Sequence, residues 1–93
     1  MEKNYPIVEV LWRDAVEIGD YAWNDLEEIL ERSKEPCPLV KSVGYLVFDG
    51  EAHISLVGGF HSEQAGRVES IPKGCIEALR LLNAELDGSQ QLV

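Results

Sequence analysis

Val43-Gly44-Tyr45-Leu46-Val47-Phe48-Asp49-Gly50, returning through Ala52-His53-Ile54-Ser55-Leu56-Val57, is the stretch on which the fold turns. Val43, Tyr45 and Val47 alternate with Gly44, Leu46 and Phe48, and Ala52, Ile54 and Leu56 alternate with His53, Ser55 and Val57, which is the two-residue period of β-strands. Asp49-Gly50 predicts a two-residue hairpin turn, because glycine accepts the positive φ such turns need. Gly44 marks a bend in the outgoing strand, and Gly58-Gly59 ends the return strand. Residues 58–66 read as a Gly-rich polar loop. Farther on, residues 67–71 read as a fourth strand, Pro72-Lys73-Gly74 as one tight turn, and Ile76 to Leu82 as a fifth strand. Ile76, Leu79, Leu81 and Leu82 would also suit a short helix, but seven residues after a Pro-Gly turn are few for one. Residues 41–82 thus predict short strands bent into a small antiparallel barrel.

Upstream, Ile7 to Arg13 predicts the first strand, with Val8, Val10 and Trp12 on its core face. Gly19-Asp20 interrupts the pattern, and either Asp20 or Asn24 is placed to cap a helix. Asn24 with Glu27 fits a capping box. The helix would run to Arg32 or Ser33 and pack across the barrel through Trp23, Leu26, Ile29 and Leu30. Pro36 and Pro38 then stop it. The resulting expectation is a mainly β (α+β) fold, a five-stranded antiparallel barrel with a helix between strands 1 and 2. Residues 1–82 form its single domain and 83–93 a flexible tail.

Seventeen acidic against eight basic side chains give a net charge of −9. Nucleic acid is held chiefly by cations that neutralise phosphates, so general nucleic-acid binding is not expected. A local pocket for one small anion remains open, as does an acidic face for a basic partner. No apolar run approaches spanning length, the N-terminus has no secretion-signal pattern, and no membrane association is expected. Cys37 and Cys75 match no zinc spacing and read as free thiols of a reducing cytosol. His53 and His61 lack further ligands, and no nucleophile–base pair or phosphate loop stands in the chain. No enzyme activity, metal or cofactor is expected.

Ile71, a turn, Ile76 and an apolar strand together resemble the second signature of Sm-like barrels, in which a one-turn link joins strands 4 and 5. The resemblance implies a small Sm-like or SH3-like barrel. The Arg-Gly that follows the first isoleucine in that family is replaced here by Pro72-Lys73, with Gly74 one place later, so its RNA-contacting arginine is not matched. Trp12-Arg13-Asp14, Trp23, Ser42 to Val47 and Ile71-Pro72-Lys73-Gly74-Cys75-Ile76 resemble a group of short acidic proteins of tailed phages. That resemblance implies a phage origin and action in the host cytoplasm. Some small phage proteins counter host defence as oligomers that sequester nucleotide second messengers.

The leading expectation is therefore a non-catalytic homo-oligomer, paired through barrel edges, that sequesters a signalling nucleotide. Trp12 would stack on a base, Arg13 would grip phosphate, and Asp14, Arg67 and Lys73 would complete the site. An alternative is an inhibitor whose acidic helix residues Asp25, Glu27, Glu28 and Glu31 dock on a basic, nucleic-acid-binding host protein. A minor structural or assembly role is a third reading.

Overall fold

A computed structural model describes residues 4–82. The chain folds as a mainly β domain: β1 (Ile7–Arg13), α1 (Leu26–Arg32), β2 (Leu39–Asp49), β3 (His53–Val57), β4 (Gly59–His61), β5 (Gln64–Gly66), β6 (Glu69–Pro72) and β7 (Ile76–Leu81), with a 3-10 turn at Lys73–Cys75 before β7. Five strands form one antiparallel sheet in the order β6-β3-β2-β1-β7. β4 and β5 form a separate two-stranded hairpin.

The sheet must curl. Laid flat, five strands would hold the outer two about 19 Å apart, at roughly 4.8 Å per spacing. Yet β6 and β7 are those outer strands, and only the three-residue turn Lys73–Cys75 joins them, with a rise of about 2 Å per residue. One corner of each edge is therefore drawn together. The barrel expected from sequence is nonetheless not closed, because no ladder links β6 to β7 among the described residues.

The curl originates in β2. Its first half pairs with β1 and its second half with β3, with Tyr45 opposite both Ile7 and Val57. Gly44 lies opposite Val8 on the core face. A Cβ there would stand 2.9 Å from the Val57 carbonyl oxygen and 3.2 Å from Leu56 Cβ, so the missing side chain lets β3 fold in over β1. A register shift between Leu46 and Phe48 adds a bulge, which sharpens local twist. The concave face then gathers Val8 and Val10 from β1, Ile54 and Leu56 from β3, and Ile71 from β6, with Trp12, Leu46 and Ile76 against them. The core face expected of β1 is the one observed. On the opposite face Glu9 clasps three strands, accepting from Arg80 of β7 at 2.8 Å and lying 4.0 Å from Lys41 of β2.

Several expectations need correction. The hairpin turn is not a two-residue one: Asp49 pairs with Ile54, and Gly50 N–H donates to the His53 carbonyl. Gly50 does not take a positive φ; it is small because a Cβ would run into the Phe48 ring. β2 begins at Leu39, straight after Pro38, and the polar loop 58–66 contains the β4–β5 hairpin. Phe60 pins that hairpin edge-on to Tyr5 and Tyr45, at centroid distances of 5.6 and 5.0 Å. Residues 76–81, by contrast, form the strand expected there and not the short helix they would also suit. The helix cap is Asp25, whose carboxylate accepts from Glu28 N–H at 3.0 Å, one residue beyond the expected Asn24.

The largest correction concerns α1, which does not pack across the sheet. None of its residues is buried, and Trp23 and Tyr21 just before it are fully exposed. The expected tail, 83–93, lies outside the described residues.

Candidate functional site

Positive charge in this acidic chain is mostly spent on ion pairs. Arg13 pairs with Glu77, Lys34 with Glu31, Lys41 with Glu9, Lys73 with Asp49 and Arg80 with Glu9. Among the described residues that leaves Arg32 and Arg67 without an acidic partner. Of these two, Arg67 lines a cleft.

The cleft has a volume of about 480 Å³ and lies between β2, β3 and the start of β6; Val43, Leu56, Val57, Val68, Gly58, Arg67 and Glu69 form its walls. Its floor is apolar, since Leu56 and Val57 are core residues. Arg67 has φ 57°, a left-handed conformation that costs a residue with a Cβ about 1–2 kcal/mol. Gly58 N–H donates to the carbonyls of Gly66 and Arg67, at 3.0 and 3.2 Å, closing the base of the β4–β5 hairpin. A Cβ on Gly58 would sit 3.0 Å from Arg67 Cβ and 3.2 Å from its Cδ. The arginine stem therefore lies over the Gly58 backbone, and the side chain lines the cleft without an acidic partner among the described residues. Glu69, two residues farther on at the start of β6, adds a half-buried acceptor. Chemically the cleft offers a five-donor fork, one carboxylate and an apolar floor.

The other expected site residues are elsewhere. Trp12 is half-buried against the core and its indole N–H donates to Ser42 Oγ at 3.0 Å, so its ring is a wall of the core. Arg13 donates to the Cys37 carbonyl at 2.7 Å and to Glu77 at 3.3 Å, stapling β7 and the chain before β2 to the end of β1. Asp14 accepts from Ala15 N–H at 2.8 Å. Lys73 pairs with Asp49 at 2.7 Å across the hairpin corner. It opens the turn that leads to Ile76, the register partner of Trp12, so these four share one corner of the sheet. Arg67 lies toward the opposite end of β6 from Lys73, and the two do not meet in one site.

On α1, Asp25 is occupied as the cap and Glu31 is paired with Lys34, while Glu27 and Glu28 are exposed without a cationic partner among the described residues. Glu69 was missed by sequence reasoning. Spacing gave no signal for it, because Arg67 is left-handed and the two-residue period of an extended chain does not run through it. No group of three or more His, Cys, Asp or Glu is placed to hold a metal among the described residues, and no helix among them is long and apolar enough to cross a membrane. Arg80's hydrogen bond and charge, with Lys41's charge, hold the Glu9 carboxyl below the usual carboxylate range against a smaller effect of desolvation.

Comparison with protein-family models, with curated proteins and with solved structures finds no match to this chain.

Proposed function

We propose that the protein is a non-catalytic binding module that takes a small anionic ligand, of the nucleotide class, in the cleft at Arg67. The observation that carries this reading is Arg67 itself: a strained arginine, without an acidic partner among the described residues, laid across a glycine at the wall of a cleft. Strained backbone persists where the surroundings hold it, and it concentrates at ligand clamps. A ligand suited to the cleft presents an anionic group to the Arg67 fork, an N–H donor to Glu69 and a flat apolar body to Val43 and Val68. A nucleotide has all three. The strand order, with its two edges joined through one short turn, supports an open Sm-like or SH3-like relation for the sheet. The origin proposed with it is a phage protein acting in the host cytoplasm against nucleotide-based defence. Self-association belongs to the same proposal, because β6 and β7 each have one edge unpaired among the described strands.

Thermal denaturation with a panel of linear and cyclic nucleotides tests this. A ligand at about 100 times its Kd adds about 2.7 kcal/mol of stability, and Arg67→Ala should remove the resulting shift. No shift with any member of the panel sinks the reading.

The acidic-inhibitor reading keeps one specific support, Glu27 and Glu28, which are exposed and have no cationic partner among the described residues. It expects salt-sensitive binding to a basic protein that is lost when Glu27, Glu28 and Glu31 become Gln. Binding that is unchanged in that triple variant rejects it.

A further inference from the structure

We propose that α1 is a contact surface between two copies of this chain, packed antiparallel about a two-fold axis. Three observations lead there. The first is the length of the helix. α1 has seven residues and buries none, whereas isolated helices shorter than about 12–15 residues are marginal in water. Its cap and its 3-residue-spaced Glu31–Lys34 pair are small contributions, and an apolar cover is the missing one.

The second is area. Tyr21 and Trp23 are 97% and 102% exposed, and Leu26 and Leu30 are 68% and 53% exposed. Aromatic side chains bury about 150–250 Å² each. With the two leucines of the helix, the exposed apolar area of this segment sums to the upper end of the roughly 300–600 Å² of the largest patch on a monomer.

The third observation selects the partner, and it is charge order. At about 100° per residue, Leu26, Ile29, Leu30 and Ser33 share one face. Glu27 and Lys34 flank it on one side, and Asp25 and Arg32 on the other. Each flank thus has its acid at the N-terminal end and its base at the C-terminal end. A perpendicular two-fold axis sets each flank against the same flank of the other copy, reversed in direction. Glu27 then faces Lys34 of the other copy, Asp25, which uses only Oδ2 for its capping bond, faces Arg32 of the other copy, and the helix dipoles oppose favourably. Glu28 and Glu31 stay outward. The surface is self-complementary, which an arbitrary basic partner would not require. Lys34 is available for this contact because its pair with Glu31 is exposed on both sides and such pairs are weak.

Sedimentation equilibrium on the full chain, with native mass spectrometry, tests the proposal. The expected result is a dimer that becomes a monomer in Leu26→Asp/Leu30→Asp, with an unchanged circular dichroism spectrum in the sheet region because neither residue is buried. Glu27→Lys and Lys34→Glu each break the contact at both symmetry-related places, and each should weaken the dimer about two- to thirty-fold, the scale of two exposed pairs. The double variant should recover most of that loss, which no generic apolar contact would produce. A chain that is monomeric at about 100 μM, far above a specific Kd, overturns the proposal. So does a dimer indifferent to the leucine pair, because the contact then lies at another surface such as the β6 and β7 edges. A double charge reversal no better than its singles overturns the antiparallel arrangement. Arg67→Ala should leave the dimer intact, so failure at the cleft and failure at the helix are separable.

Discussion

The curled sheet and the segment between β1 and β2 both carry large apolar residues, but only the sheet buries a set of them, although it too leaves Val43, Phe48 and Leu81 exposed. In the sheet, Val8, Val10 and Ile71 are wholly buried, and Ile54 and Leu56 nearly so. In residues 14–38, Tyr21, Trp23, Leu26 and Leu30 face solvent. The segment leaves the sheet at Arg13 and returns at Leu39, which are direct register partners. A turn of two residues would close that gap as a hairpin. The segment is therefore expected to be dispensable for folding of the sheet. The sheet holds the stability, and the protruding segment holds apolar surface that the described chain does not consume.

Substitutions can break this division. Ile71→Ala, in the core between β1 and β3, should cost about 2–5 kcal/mol, a large part of the roughly 5–15 kcal/mol typical of a domain, as read by urea unfolding. Gly44→Ala comes next. Its Cβ would press on the Val57 carbonyl and Leu56, so a loss of about 1–3 kcal/mol is expected from overpacking; no loss would mean that β2 bends without needing that gap. Glu9→Gln should act through pH. The Glu9 carboxyl is depressed in the folded state, so its contribution is present above its unfolded pKa and is lost as pH falls through the lower folded value. The variant should be less stable at neutral pH and show a shallower decline in acid. Trp23→Ala, despite removing the largest side chain type, should change monomer stability by no more than about 0.5 kcal/mol. A substantially larger loss would place Trp23 against the sheet and erase the contrast.

The strands were legible because their alternation is enforced by burial on one face. β1 and β3 follow their patterns closely, and Val8, Val10 and Trp12 face the core as their spacing requires. The turn into β7 was also legible, since Pro72 and Gly74 punctuate it. The helix misled for a physical reason. An apolar stripe at helical spacing reports that a face needs cover, without reporting which surface covers it. The open barrel was hidden similarly, because strand periodicity sets faces but not whether the last two edges share hydrogen bonds. Of the candidate site, Arg67 was visible as charge beside a glycine-rich stretch. Its separation from Lys73 was not, since the intervening residues extend as β6. Trp12 and Arg13 were assigned chemistry that packing and an ion pair had already taken up.

The most direct test replaces Ala15 to Cys37 with Asn-Gly and measures urea unfolding, dilute enough that self-association adds little. If the sheet alone carries the fold, the shortened chain keeps the strand signal and unfolds cooperatively within about 1 kcal/mol of the parent. A chain that fails to fold, or loses several kcal/mol, would show that the protruding segment belongs to the core and would contradict the account.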